Sequence, residues 1–163
     1  MSHMDDRMAH AFTVDVEDWY HGGPDDMPLT DGMSRLANGL DRLLDLLQEH
    51  QAKATFFLVG ERALAQPELV RQMLARGHTL GNHSHRHPQT RFWRLGRAAM
   101  ANEIAQCQQA LTAIAGQPPR WYRSVVGMTN PFVAAALARH RLERIGWSAR
   151  GYDGVNCTPE GVV

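Results

Sequence analysis

Between Gly81 and Pro88 the chain reads GNHSHRHP, with His83, His85 and His87 at every second position. Neutral imidazole is a ligand for zinc, copper, nickel or iron, so three such groups in one short stretch point toward a metal site. The spacing leaves two geometries open. On a continuing strand all three rings share one face. If the chain turns helical after Gly81, His83 and His87 form an i, i+4 pair instead. Neither arrangement completes a site, because a catalytic zinc ordinarily takes three protein ligands and a water.

The stretch DVED (15–18) offers the missing donor. Asp15 and Glu17 fall on the same face of an extended segment, and Asp18 sits where that segment ends. Three carboxylates gathered there repel one another and lose hydration, costs that a nearby cation relieves. The plainer alternative has one of them capping a helix and the others solvated. Arg123, in WYRSVVG, ends another apolar stretch. It either pairs with a surface acid or sits beside Asp15 and fixes its rotamer. Asp153, in ARGYDG, stands near Arg150, and a local turn ion pair is the simpler reading of those two.

These groups need elements to place them. AFTVDVE (11–17) mixes aromatic and β-branched residues and predicts a first strand. DWYHGGPDDMP (18–28) is a loop by its Gly, Pro and Asp content. From Met33 to His50, Leu36, Leu40, Leu43, Leu44 and Leu47 recur at helical spacing. KATFFLVG (53–60) predicts a buried strand. QPELVRQMLARG (66–77) predicts a helix opened by Pro67 and closed by Gly77. HTLGNHS (78–84) predicts a third strand. Met100, Ile104, Cys107, Leu111 and Ile114 mark a helix ending at Gly116. RWYRSVV (120–126) predicts a fourth strand, and NPFVAAALARH (130–140) a helix with Asn130 as cap and Pro131 at its first position. LERIGWSA (142–149) predicts a fifth strand. Alternation of this kind argues for a parallel sheet with covering helices. Each chemically interesting cluster follows the C-terminal end of a strand, where such sheets and barrels place their sites.

Composition narrows the class. The chain has 163 residues, enough for one domain with a real core. Lys plus Arg (17) balance Asp plus Glu (17), so no nucleic-acid or acidic-membrane surface is indicated. No apolar run approaches the roughly 20 residues of a membrane helix. Residues 1–10 lack the apolar core of a signal peptide, and the opening MSHM reads as a tag remnant preceding a domain over 11–163. The expected location is therefore the cytoplasm, or the periplasm or cell envelope where a leader has been removed. Cys107 and Cys157 form no CxxC pair and leave the redox compartment open.

Taken together, TVDVEDWY, GNHSHRH, YRSVVG and GWSARGYDG resemble, in order and spacing, four motifs of the NodB-homology polysaccharide deacetylases, metal-dependent carbohydrate esterases. TFFLVGE also fits that family's second strand. The form DVEDW, with GMTNPF and ARGYDG, looks most like a bacterial branch near glycan-assembly genes. The resemblance implies a distorted (β/α) barrel with parallel strands and hydrolysis of an N-acetyl group on an amino-sugar polysaccharide or oligosaccharide. It implies a divalent metal, zinc first, with cobalt, nickel or iron suiting the same donors. His83 and His87 match the metal ligands and His85 points elsewhere. Asp15 matches the catalytic base, Arg123 the arginine that holds it, and Asp153 the acid that supports a catalytic histidine. Where relatives carry adjacent aspartates, Val16 follows Asp15 here, so the carboxylate ligand is Glu17 or Asp18, with a slight preference for Asp18. Trp19, Tyr20, His21, Val126 and Gly127 match groove positions, with a backbone N–H near the third motif as oxyanion donor.

Two departures accompany the resemblance. Val125 stands where the third motif usually has proline. The fifth motif, an apolar strand ending Leu-x-His whose histidine is the general acid, has no counterpart before Val163, so the barrel is expected to be C-terminally incomplete. No general acid is then assigned, His21 being a loop histidine that could substitute, and an open barrel edge invites self-association. The alternative to an enzyme is a catalytically impaired, metal-containing module that binds glycan or a partner. A third reading is a hydrolase of non-sugar amides such as cyclic ureides.

Overall fold

The computed structural model describes residues 11–17 and 36–149. Within them five parallel strands form one sheet in chain order: β1 (Phe12–Val16), β2 (Ala54–Leu58), β3 (Thr79–Asn82), β4 (Trp121–Tyr122) and β5 (Glu143–Arg144). Helices α1 (Leu36–Glu49), α2 (Gly60–Ala65), α3 (Pro67–Ala75), α4 (Arg97–Ala115) and α5 (Val133–Arg139) lie between them in sequence. Parallel neighbours require such crossovers, and the crossovers cover the sheet. Among the described residues no helix is long and apolar enough to cross a membrane.

The interior strand β2 explains its own sequence. Phe56 and Phe57 are adjacent on β2 and so face opposite sides, yet both are fully buried. A strand covered on both faces reads as a continuous apolar run rather than an alternation. On one side Leu40, Leu44 and Leu47 of α1 pack with Val16, Phe56 and Leu80 of the sheet, Met73 of α3 and Leu111 of α4. A second cluster joins α4 and α5 through Met100, Ile104, Tyr122, Val125, Val133 and Leu137. The helix punctuation works as the sequence implies. Pro67 opens α3, and Gly116 closes α4 in the left-handed conformation, its N–H donating to the Thr112 carbonyl.

The strands are shorter than their sequence patterns suggest. The stretch 120–126 pairs as a strand only at Trp121 and Tyr122, and Val125–Gly127 turn into a 3-10 helix with Val126 at φ 50°. Two consecutive β-branched valines favour extended chain locally. Burial of Val125 in the second cluster overrides that preference. Likewise 142–149 pairs only at Glu143 and Arg144, and β3 stops at Asn82. The short helix α2 has no counterpart among the sequence expectations, because it opens on Gly60 and spans only six residues. α5 begins at Val133, since Pro131 and Phe132 form the turn before it. Asn130 caps that turn by accepting the Phe132 N–H through Oδ1 at 2.9 Å.

Candidate metal centre and active site

β1 delivers three side chains to one place because alternate residues of a strand share a face. Thr13, Asp15 and Glu17 all reach partners from the other strand ends. Glu17 Oε2 lies 2.6 Å from His87 Nε2 and 3.9 Å from His83 Nε2. Asp15 Oδ2 lies 3.9 Å from His83 Nε2, while its Oδ1 accepts a 2.8 Å bond from the Arg123 guanidinium. Thr13 Oγ1 accepts a second bond from that guanidinium at 2.9 Å.

The histidine stretch follows neither of the two regular geometries. After Asn82 the chain turns, with Ser84 at φ 70° and His87 at φ 55°. Both are left-handed conformations that non-glycine residues adopt only when neighbours impose them. Here the neighbours are explicit. The His83 N–H donates to the Leu58 carbonyl, and the Ser84 N–H to Asn82 Oδ1. The Ser84 and His85 carbonyls accept the amides of Gly60 and Glu61 at the start of α2. Glu103 of α4 reaches across with one carboxylate oxygen, Oε2, and accepts the amides of both His85 (3.0 Å) and Arg86 (2.9 Å). The turn brings the His83 and His87 rings to 5.0 Å between centroids and turns His85 onto Gly60, away from them.

His83 Nδ1 lies 2.9 Å from the Arg123 carbonyl oxygen. A carbonyl only accepts, so Nδ1 carries the proton and Nε2 presents its lone pair toward Asp15 and Glu17. Burial, reinforced by the neighbouring His87, pushes the His83 pKa below its ordinary value even though Asp15 and Glu17 pull the other way. The neutral ring is the form that ligates metals.

Among the described residues, Glu17, His83 and His87 are the group whose donor atoms converge, all within 4.8 Å of one another. Two atoms about 2.1 Å from one tetrahedral zinc stand roughly 3.4 Å apart. The observed 2.6 and 3.9 Å separations from Glu17 bracket that value. Glu17 is the most exposed of the three. Two imidazoles and a carboxylate fit a borderline cation such as zinc. Among the described residues, Glu17 is the carboxylate whose oxygen converges with both histidines. Asp18, Trp19, Tyr20, His21 and Asp153 lie outside the described residues.

Val126 and Gly127 form the 3-10 turn at the end of β4, with Val126 exposed. The Gly127 and Met128 amides are used within that turn, by the carbonyls of Ser124 and Val125. Thr13 and Glu103 are contributors that residue-type reasoning missed. Thr13 was legible in principle, two residues before Asp15 on the same strand face. Glu103 was not, because a single acid on a helix carries no local sign of its distant acceptor role.

Comparison with known proteins identifies the family and the fold. Residues 25–145 match the sequence pattern of the Polysaccharide deacetylase family. The match includes His83, His87 and Arg123 but starts after β1, so Asp15 and Glu17 join the site on geometric grounds. A chitooligosaccharide deacetylase from Bradyrhizobium is 35% identical over 107 residues, which is 65% of this chain and 48% of that protein. The structure of a family 4 carbohydrate esterase from Streptomyces lividans, solved with acetate, superposes with a TM-score of 0.74 at 28% identity, covering 93% of this chain and 69% of that one. A family 4 pseudoenzyme from Bacillus anthracis shares the fold, with a TM-score of 0.76 at 20% identity over 93% of this chain and 47% of its own. The chain spans less than half the length of the curated relatives it matches. A pattern matched across well over half of its residues makes this chain a member of the polysaccharide deacetylase family.

Proposed function

We propose that the chain is the metal-dependent catalytic region of a hydrolase that removes N-acetyl groups from an amino-sugar polymer. The observation that carries this reading is the convergence of Glu17, His83 and His87 beside an Asp15 already tied to Arg123. A divalent cation held by those three donors would supply a Lewis acid for the amide carbonyl and a water acidified toward a pKa of ~7.

The chain's own groups then divide the work. Arg123 occupies Asp15 Oδ1, which leaves Oδ2 facing the histidines. Oδ2 is the atom placed to take a proton from the attacking water. Arg123 also keeps Asp15 in one rotamer, so the base needs no reorganisation. His83 and His87 orient through bonds made elsewhere, His83 through the Arg123 carbonyl and His87 through the clamped turn. At the end of β4 the turn consumes the Gly127 and Met128 amides, and the amide of the exposed Val126 in the same turn is assigned the oxyanion-donor role in this reading. The relatives named for chitooligosaccharides and for peptidoglycan support an N-acetylated β-linked glucosamine polymer as substrate class.

Acetate release from acetylated chitooligosaccharides by the zinc- or cobalt-loaded chain tests this. Asp15→Asn is expected to keep the metal and to lose ~10²–10⁴-fold in kcat. Binding of metal and sugar without any turnover by the unmodified chain would instead identify a non-catalytic glycan-binding module.

A further inference from the structure

The Arg123 guanidinium is held by more than its ion pair. It is 1% exposed and lies between two aromatic rings, Phe57 at 4.1 Å and Trp147 at 4.7 Å from the ring centroids. Both distances fall within the range of cation–π attraction. The rings come from different parts of the sheet. Phe57 is on β2, and Trp147 follows β5.

Two glycines make room for these plates. A Cβ on Gly81 would stand 2.4 Å from the Phe57 ring, and one on Gly127 would stand 2.8 Å from the Trp147 ring. Gly81 opens the histidine stretch and Gly127 closes the 3-10 turn after β4. Glycine at both positions therefore has a steric cause beyond the φ of 73° at Gly127. Arg123 NH2 is 3.4 Å from the carbonyl oxygen of Gly146, the residue preceding Trp147, so the segment after β5 contacts the guanidinium at its edge as well as its face. Among the described residues its Nε has no hydrogen-bond partner. The plane of the guanidinium is thus set by the two rings together with the Asp15 and Thr13 oxygens.

We propose that Trp147 is a positioning residue: with Phe57 it clamps the Arg123 guanidinium in one plane, and through it fixes the Asp15 carboxylate at the site. The catalytic consequence rests on Asp15 being the base, as proposed above, whereas the clamp itself does not. A ring is required at position 147, not bulk alone. An aliphatic side chain fills space but has no negative face for the cation.

The test compares the 163-residue chain with Trp147→Phe and Trp147→Leu. In arginine-labelled protein, ring currents from two flanking faces should shift the Arg123 Nε–Hε proton upfield of the other arginines. The signal is assigned by its loss in Arg123→Lys. The shifted signal is expected to persist in Trp147→Phe and to return toward the ordinary position in Trp147→Leu. In the zinc-loaded chain, kcat is expected to stay within a few-fold of the parent in Trp147→Phe. In Trp147→Leu it falls by roughly 10²-fold, the scale of an ångström-sized misplacement, with KM and zinc content unchanged. An unshifted Arg123 signal in the parent chain overturns the clamp, and that spectrum decides even if Trp147→Leu fails to fold. A Trp147→Leu protein that retains both the shifted signal and the parent kcat also overturns it. A shifted signal in a chain that releases no acetate supports the clamp and counts against the deacetylase reading.

Discussion

His83 donates its Nδ1–H to the main-chain oxygen of Arg123 across 2.9 Å, which ties the end of β3 to the end of β4 inside the site. Arg123 thereby serves two groups by two routes. Its backbone orients the His83 imidazole, and its side chain holds the carboxylate of Asp15. Substituting the side chain separates the two functions.

Arg123→Lys retains the carbonyl and therefore the orientation of His83. It loses the planar fork that contacts Asp15 and Thr13 and stacks between the rings. Zinc affinity is expected to stay within a few-fold of the parent while acetate release falls by on the order of 10²-fold. Isothermal titration and an acetate assay on the same preparation check this. A parallel loss of zinc binding would show that the side chain supports the ligands too.

Glu103 accepts two adjacent amides of the turn between the histidines. Glu103→Ala leaves those amides without their acceptor and frees a turn that carries left-handed Ser84 and His87. Zinc affinity should weaken by about 10–100-fold, as for loss of other outer-shell partners. Glu103→Gln keeps a carbonyl-type oxygen and should recover most of it. A competition titration with a chromophoric chelator reads both variants, and an unchanged affinity in Glu103→Ala would remove the carboxylate from the site's support.

His78 sets a pH dependence away from the site. Its buried Nδ1 accepts the Ala54 N–H at 3.2 Å, and its ring packs edge-on against Phe56. Burial, with Lys53 and Arg76 nearby, lowers its pKa below the ordinary 6.5. The unfolded chain therefore takes up the proton first as pH falls. Stability contributed by the neutral ring is intact above about pH 6.5 and is lost as pH drops through 6.5 toward the folded value. His83 shifts in the same direction and adds to the effect. His78→Asn places an oxygen where Nδ1 was and cannot titrate. Its melting temperature should fall less steeply between pH 6.5 and 5 than that of the parent, and identical slopes would contradict the assignment.

Much of this was legible in the sequence where one signal spoke for one element. The leucine repeat of α1, the Pro67 and Gly77 punctuation of α3 and the apolar run of β2 each report local physics. His83, His87, Asp15 and Arg123 were readable as chemistry because strand ends concentrated unusual residue types. The turn from His83 to His87 was not readable. Its left-handed residues are imposed by α2 and Glu103, which lie in other parts of the chain. The position of Glu17 beside the histidines also depended on register. Only the pairing of β1 with β2, and of β2 with β3, places alternate β1 residues opposite the β3 exit. Val125 and Val126 misled for the opposite reason, since local β preference was strong and the tertiary demand to bury Val125 was stronger.

Metal content decides the central claim. The metal-free chain titrated with zinc should bind one ion per chain, with X-ray absorption showing two imidazole nitrogens and oxygen donors. His83→Ala, His87→Ala and Glu17→Ala should each weaken binding by more than the roughly 10–100-fold of an outer-shell loss. A chain that takes up no stoichiometric zinc, or one whose affinity is indifferent to all three substitutions, would contradict a metal centre at the meeting of β1 and β3.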